Sequence, residues 1–202
     1  IMDYNSLTDE QLISNFQKGD RKAYNILVNR YRDKLIRYLY GFIGDLDDAE
    51  DLVQETFLKV YIKKDSYKEV AKFSTWLYTI AGNLAKTDLR KIKRRKTGTF
   101  SSLKKSDGRE FEPPEKIDQN TSSSIDEDEK KIIRESLLEL DEDFRNIIIL
   151  RENQELSYDV ISKILKLPLG TVKSRINRGK LKLREILIKK GVFKNWKLIM
   201  KS

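Results

Sequence analysis

The chain of 202 residues contains no cysteine and no histidine. Without these side chains it cannot form a disulfide, a zinc finger, a thiolate nucleophile or a catalytic triad that needs imidazole. No apolar run approaches the roughly 20 residues that a membrane-spanning helix requires, and the first residues lack the basic-then-apolar order of a signal peptide. We therefore expect a cytoplasmic protein that inserts into no membrane and holds no metal or cofactor.

Glycine and proline are also scarce, with nine and three residues respectively. Apolar residues instead recur three or four positions apart from Ala23 to Phe42, which predicts one face of a helix. No useful segment alternates with period two, so we expect almost no strand. The sequence therefore predicts an all-α protein.

Short polar signals mark where the predicted helices begin. Thr8 and Gln11 have the spacing of a capping box, and Asp45 or Asp47 can cap the third helix. On that third helix the side chains expected to point inward are Leu52, Val53, Thr56, Phe57, Val60 and Tyr61.

Composition divides the chain into two parts. Residues 97–125 contain few apolar side chains, many serines and a proline pair, so they cannot bury enough surface to offset the entropy of ordering. We predict a flexible, acidic linker there, between two small helical domains at 6–96 and 126–190. Both domains are basic, and the net charge of +9 favours a polyanionic partner.

The stretch "LSYDVISKILKLPLGTVKSRINRGKLKLREIL", residues 156–187, has the pattern of a helix-turn-helix. Ser157 is a good N-cap, a short turn follows the first apolar face, and the second helix is polar and cationic on its outer side. Such a helix can enter the major groove and read base edges. The residues expected to contact duplex DNA are Thr171, Lys173, Ser174, Arg175, Asn177, Arg178 and Lys182.

This stretch resembles region 4 of bacterial sigma-70 family transcription initiation factors, above all the extracytoplasmic-function (ECF) group, in which "GTVKSR" recurs. The resemblance implies recognition of the minus-thirty-five promoter element. The same helix pair is also similar to the helix-turn-helix of LuxR-type response regulators. A stand-alone DNA-binding regulator therefore remains an alternative for this part of the chain.

The N-terminal stretch "DDAEDLVQETFLKVY", residues 47–61, resembles region 2.2 of the same family. There the helix is the main contact with a coiled coil on the clamp of RNA polymerase. The resemblance implies that core polymerase binds Asp48, Asp51, Leu52, Gln54 and Glu55.

The stretch "FSTWLYTIAGNLAKTDLRKIKRR", residues 73–95, is similar to regions 2.3 and 2.4, which capture the single-stranded non-template strand of the minus-ten element. Single-stranded DNA is held by aromatic stacking and a cationic groove, and this helix changes from aromatic to cationic along its length. We expect Phe73 and Tyr67 to lie nearer the DNA than Trp76, and Gly82 to allow close approach of another backbone. The residues expected to bind this strand are Phe73, Trp76, Asn83, Lys86, Arg90, Lys91, Arg94 and Arg95.

Both motif blocks, in this order, favour a transcription initiation factor of the ECF group that is not an enzyme. A metal-dependent nuclease built on the acidic residues is the enzymatic alternative, and the lack of histidine counts against it. The family resemblance also implies an anti-sigma protein as a partner and places the linker near the RNA exit path of polymerase.

Overall fold

The computed structural model describes residues 4–98 and 127–191, so most of the predicted linker lies outside the described residues. Every regular element in these two ranges is helical, which confirms the all-α prediction. The chain divides into two compact units, one N-terminal and one C-terminal. In the two described ranges no helix is both long enough and apolar enough to cross a bilayer.

The N-terminal unit is a bundle of helices built around α2. Two short 3-10 turns, Tyr4–Ser6 and Lys64–Ser66, precede α1 and follow α3. The helices of this unit are α1 (Asp9–Gln17), α2 (Arg21–Ile43), α3 (Leu46–Ile62) and α4 (Phe73–Gly98).

Local polar contacts start the first three helices. Thr8 and Gln11 form the predicted capping box, with Thr8 N donating to Gln11 Oε1 at 2.9 Å and Gln11 N donating to Thr8 Oγ1 at 3.2 Å. Asp20 caps α2, and Asp45 caps α3 by accepting from Asp48 N at 2.9 Å. Each cap satisfies backbone N–H groups that the first helical turn leaves without partners.

The predicted stripe of α2 is the centre of this unit. Its side chains are buried and α2 contacts α1, α3 and α4. Five of the six residues predicted to point inward on α3 are buried as well. The prediction was wrong for Tyr61, which is 41% exposed, because its ring packs only on the edge of a cluster with Phe16 and Tyr24.

Gly82 of α4 is buried against a side chain and not, as predicted, against a backbone. A Cβ atom at this position would lie 2.9 Å from the hydroxyl oxygen of Tyr38, a fully buried residue of α2. The glycine therefore lets α4 approach the tyrosine of its neighbour.

The C-terminal unit consists of shorter helices around α8. The chain continues from α6 directly into a π-helical turn, Ile149–Asn153, and α8 contacts both α5 and α6. Ser157 caps α7 as predicted, accepting from Val160 N at 3.4 Å. The helices of this unit are α5 (Glu127–Glu139), α6 (Glu142–Ile148), α7 (Tyr158–Leu165) and α8 (Leu169–Lys189).

Arg145 of α6 joins α6 to the end of α5. Its guanidinium donates to the carbonyl oxygens of Leu137 at 3.0 Å, Leu138 at 2.7 Å and Leu140 at 3.0 Å. These carbonyls belong to the last turn of α5 and the residue after it, where intrahelical partners are lacking. Burial lowers the pKa of Arg145, and the three acceptors offset the cost of burying its charge.

We predict that Gly82→Ala destabilises the N-terminal unit by about 1–3 kcal/mol, because the added methyl group overpacks a closed contact. In a Tyr38→Phe background the same substitution should stabilise the unit by up to about 1 kcal/mol, since alanine is the better helix former. Denaturant unfolding of the two single variants and the double variant measures both effects. The control is Gly170→Ala on α8, where nothing lies within 4 Å of an added Cβ; equal losses at both glycines would contradict the steric explanation.

Candidate functional site

The outer side of α8 carries most of the residues predicted to contact duplex DNA. The helix buries Val172, Ile176 and Leu183 against its own unit. Its N-terminal turns therefore present a surface of hydroxyl, amide and cationic groups, the donors and acceptors that read base edges. The exposed or half-buried members are Thr171, Lys173, Ser174, Asn177 and Arg178.

Two of the predicted cations on α8 already contact carboxylates at the start of α6. Arg175 Nη1 lies 3.1 Å from Asp143 Oδ2, and Lys182 Nζ lies 3.2 Å from Asp141 Oδ2. Both carboxylates are more than half exposed, so each pair contributes only about 0–1 kcal/mol to stability. The pairs nevertheless neutralise two of the positive charges that were predicted to contact DNA.

One face of α4 carries a stripe that runs from an aromatic to a cationic end. Trp76, Asn83, Arg90 and Arg94 are separated by seven, seven and four positions, so they lie on one side of the helix. Asn83, Arg90 and Arg94 are exposed and Trp76 is half-buried. Lys86 and Lys91 flank this stripe, and the side chain of Arg95 lies outside the described residues.

The three aromatic residues at the start of α4 and just before it differ in burial. Phe73 is 0% exposed and Tyr67 is 7% exposed, so both are core residues here. Trp76 is the most exposed of the three, and its ring centroid lies 5.4 Å from that of Tyr67 and 6.2 Å from that of Phe73. This burial argues against the expectation that Phe73 and Tyr67 lie nearer the DNA than Trp76, because both rings fill the space under Trp76.

The outer face of α3 is acidic near its N-terminus. Four of the five residues that the family resemblance assigns to core polymerase are exposed: Asp48, Asp51, Gln54 and Glu55. Partial desolvation of its carboxyl group, followed by the negative charges of Asp45 and neighbouring carboxylates, raises the pKa of Asp48. The fifth predicted contact is different: Leu52 is only 7% exposed, because it belongs to the apolar face of the helix.

The sequence interpretation missed two apolar residues that extend this acidic face. Leu58 is 56% exposed and Ile62 is 68% exposed, and they follow Asp51 and Glu55 at helical intervals. The available signal was that "FLKVYI" contains more apolar side chains than one inward face can hold. A contiguous exposed apolar patch can mark a protein-interaction surface, so these two residues enlarge the candidate interface on α3.

Comparison with known proteins identifies both units. The family model "Sigma-70 region 2" matches residues 27–95, and the model "Sigma-70, region 4" matches residues 130–183. The RNA polymerase sigma-H factor of Pseudomonas aeruginosa is 32% identical over 175 residues, which cover 85% of this chain and 90% of the relative. The chain belongs to the sigma-70 family.

Further relatives place this sigma factor in the ECF group. The ECF RNA polymerase sigma-E factor of Escherichia coli K12 is 37% identical, covering 86% of this chain and 91% of the relative. The sigma-E factor of Haemophilus influenzae is 34% identical, with coverages of 86% and 92%. Among solved structures, the sigma factor RpoE of Bartonella quintana superposes with a TM-score of 0.67 at 26% identity, over 83% of this chain and 98% of that one.

The sigma factor is a transcription initiation factor that directs RNA polymerase to promoters. Sigma factors of this family are initiation factors and not enzymes. The LuxR-like alternative is not favoured, because the N-terminal half matches sigma region 2. Both matched segments fall inside the domain bounds 6–96 and 126–190, although α4 continues to Gly98 and the bounds themselves stay predictions.

We predict that the double variant Asp141→Asn, Asp143→Asn binds duplex DNA more tightly than the unmodified sigma factor. Arg175 and Lys182 lose competing carboxylates and become available to phosphates. Each additional phosphate contact adds about 0.9 to the slope of log affinity against log salt concentration, so the slope should steepen by up to about 2. Titration of a fluorescent duplex at several salt concentrations measures the affinity and this slope.

The control for this prediction is Glu155→Gln, which removes an exposed charge from the turn before α7. It should leave the salt slope unchanged. If Glu155→Gln steepens the slope as much per lost charge as the double variant does, net charge alone explains the effect and the ion pairs have no specific role.

Proposed function

We propose that the sigma factor divides its work among three helices. The outer face of α3 binds core RNA polymerase, the stripe on α4 binds the single-stranded minus-ten element, and the outer side of α8 reads the minus-thirty-five element. The observation that carries this proposal is the chemistry of the three exposed faces. One is acidic and apolar, one runs from an aromatic ring to cations, and one is polar and cationic.

The α3 surface suits a protein partner. Asp51, Gln54 and Glu55 offer charge and hydrogen bonds that favour a basic partner and fix its register. Leu58 and Ile62 add apolar area, and burying apolar surface contributes about 25 cal/mol per Å². An acidic end followed by an apolar end would orient a partner helix along α3.

The α4 surface suits single-stranded DNA that joins a duplex. Stacking of a base on an aromatic ring contributes about 1–3 kcal/mol, and Trp76 is the aromatic residue of the stripe that is accessible. Asn83 can hydrogen-bond a base edge. Arg90 and Arg94, two and three turns further on, would contact phosphates of the neighbouring duplex.

The α8 surface suits the major groove. Ser174, Asn177 and Arg178 lie on its outer side and are the residues we assign to base edges. Lys173, which is exposed on the flank of the helix, is assigned to phosphates. Arg175 and Lys182 are assigned to phosphates too, but they must first leave their carboxylate partners on α6.

Regulation and location are inferred from relatives. The sigma factor RpoE of Bartonella quintana was solved in complex with an anti-sigma factor. We propose that an anti-sigma protein also holds this chain inactive, and that it acts with core polymerase in the cytoplasm. Such an inhibitor would compete with polymerase if it covered the α3 surface.

We predict that the sigma factor, added to purified core polymerase and a genomic fragment library, produces promoter-specific transcripts. The double variant Asp51→Lys, Glu55→Lys should lose these transcripts, because charge reversal on α3 repels the basic partner. Its binding to isolated promoter duplex should be kept. The control is Asp33→Lys, the same kind of charge reversal at an exposed site on α2, and equal loss of transcription in this control would contradict the role of α3.

We predict that Arg178→Ala weakens promoter binding by about 1–3 kcal/mol and relaxes specificity at one position of the minus-thirty-five element. The reason is that a guanidinium can donate two hydrogen bonds to guanine. Competition binding with singly substituted promoter fragments measures the change. Arg178→Ala must be compared with Lys173→Ala, which should weaken all sequences about equally; a uniform loss for Arg178→Ala would show that it contacts only phosphate.

A further inference from the structure

The start of α4 receives no side-chain cap from the residue that precedes it. The residue before the helix is Lys72, whose side chain cannot accept a hydrogen bond from the first backbone N–H groups. Glu10 of α1 supplies the acceptor instead, because Phe73 N donates to Glu10 Oε1 at 3.0 Å. A carboxylate at this position also interacts favourably with the positive end of the helix dipole.

Helix α1 also holds the other end of the segment that precedes α4. Gln17, the last residue of α1, donates from Nε2 to Lys64 O at 2.8 Å and to Tyr67 O at 3.1 Å. Lys64 Nζ donates in return to Phe16 O at 3.0 Å and to Gln17 O at 3.2 Å. Residues 64–72, which we name the α4 leader, are therefore fixed at both ends by α1.

The middle of the α4 leader is exposed, whereas its one buried residue, Tyr67, packs against Trp76. Val70 is 88% exposed, and Lys68 and Glu69 beside it are exposed too. Tyr67 points inward, donates from Oη to Ala71 O at 2.8 Å and contacts the ring of Trp76. Tyr67 thus links the α4 leader to Trp76, and α1 holds both ends of the leader in place.

We propose that Glu10 and Gln17 are positioning residues for recognition of the minus-ten element. This inference rests on the proposed function of α4 and adds α1 to it. Glu10 fixes where α4 begins and hence the direction of Trp76, and Gln17 fixes the α4 leader beside it. The family model for region 2 begins at residue 27, so α1 precedes the matched segment.

Fixing these groups before DNA arrives reduces the cost of binding. Ordering a mobile side chain on association costs about 0.5–1.5 kcal/mol, and the leader would add backbone entropy as well. Loss of Glu10 should therefore weaken contacts with the minus-ten strand and leave contacts made by α3 and α8 unchanged.

The test uses the full chain with core polymerase on a promoter recovered from the transcription assay, with each position of both elements substituted singly. Glu10→Ala and Gln17→Ala should each lower discrimination at minus-ten positions about tenfold and leave discrimination at minus-thirty-five positions within twofold. Glu10→Gln keeps an acceptor oxygen and should stay within twofold of the unmodified chain at both elements. Amide hydrogen exchange of residues 64–76 should accelerate in both alanine variants.

The matched control is Thr8→Ala, which removes the N-cap of α1 but leaves its contacts with the α4 leader in place. It should lower stability and keep minus-ten discrimination. The inference is overturned if Glu10→Ala and Gln17→Ala keep that discrimination, or if Thr8→Ala loses as much of it. If the unmodified chain does not discriminate among minus-ten sequences, both the proposed function and this inference are wrong. If all variants keep that discrimination, only this inference is wrong.

Discussion

Burial of the apolar stripe on α2 is the interaction on which the N-terminal unit depends. α1, α3 and α4 all contact this helix, and each must turn its own apolar face toward it. Burying one large apolar side chain contributes about 1.5–3 kcal/mol, and α2 alone buries several, including Leu35, Leu39 and Phe42. The faces of α3 and α4 that remain outside are thereby fixed, and these are the faces assigned to polymerase and to DNA.

In the C-terminal unit, ion pairs also contribute to holding the helices together. Lys180 Nζ lies 2.8 Å from Glu152 Oε1, and this carboxylate is only 9% exposed at its side chain, so α8 is tied to the π-helical turn by a partly buried pair. Arg175 pairs at the surface with Asp143, where water screens the interaction. The cations of α8 thus include Lys180, which helps to hold the fold, and others that we assign to phosphates.

Features that depend on neighbours along the chain were predictable, and features that depend on distant contacts were not. The capping box at Thr8 and the inward residues of α2 follow from spacing alone. The burial of Phe73 under Trp76 depends on how α4 packs, and helical periodicity does not specify that. The contact between Glu10 and Phe73 joins residues 63 positions apart, so no local pattern could have revealed it.

The aromatic half of α4 combines packing with the DNA recognition that we propose for it. Phe73 and Tyr67 are buried and Trp76 rests on both rings, so the orientation of the tryptophan is set by the core. A ring supported from beneath loses little entropy when a base stacks on it. The change from aromatic to cationic residues along the helix is therefore also a change in structural role. Buried rings at the start support Trp76, and the cations lie on the turns that follow.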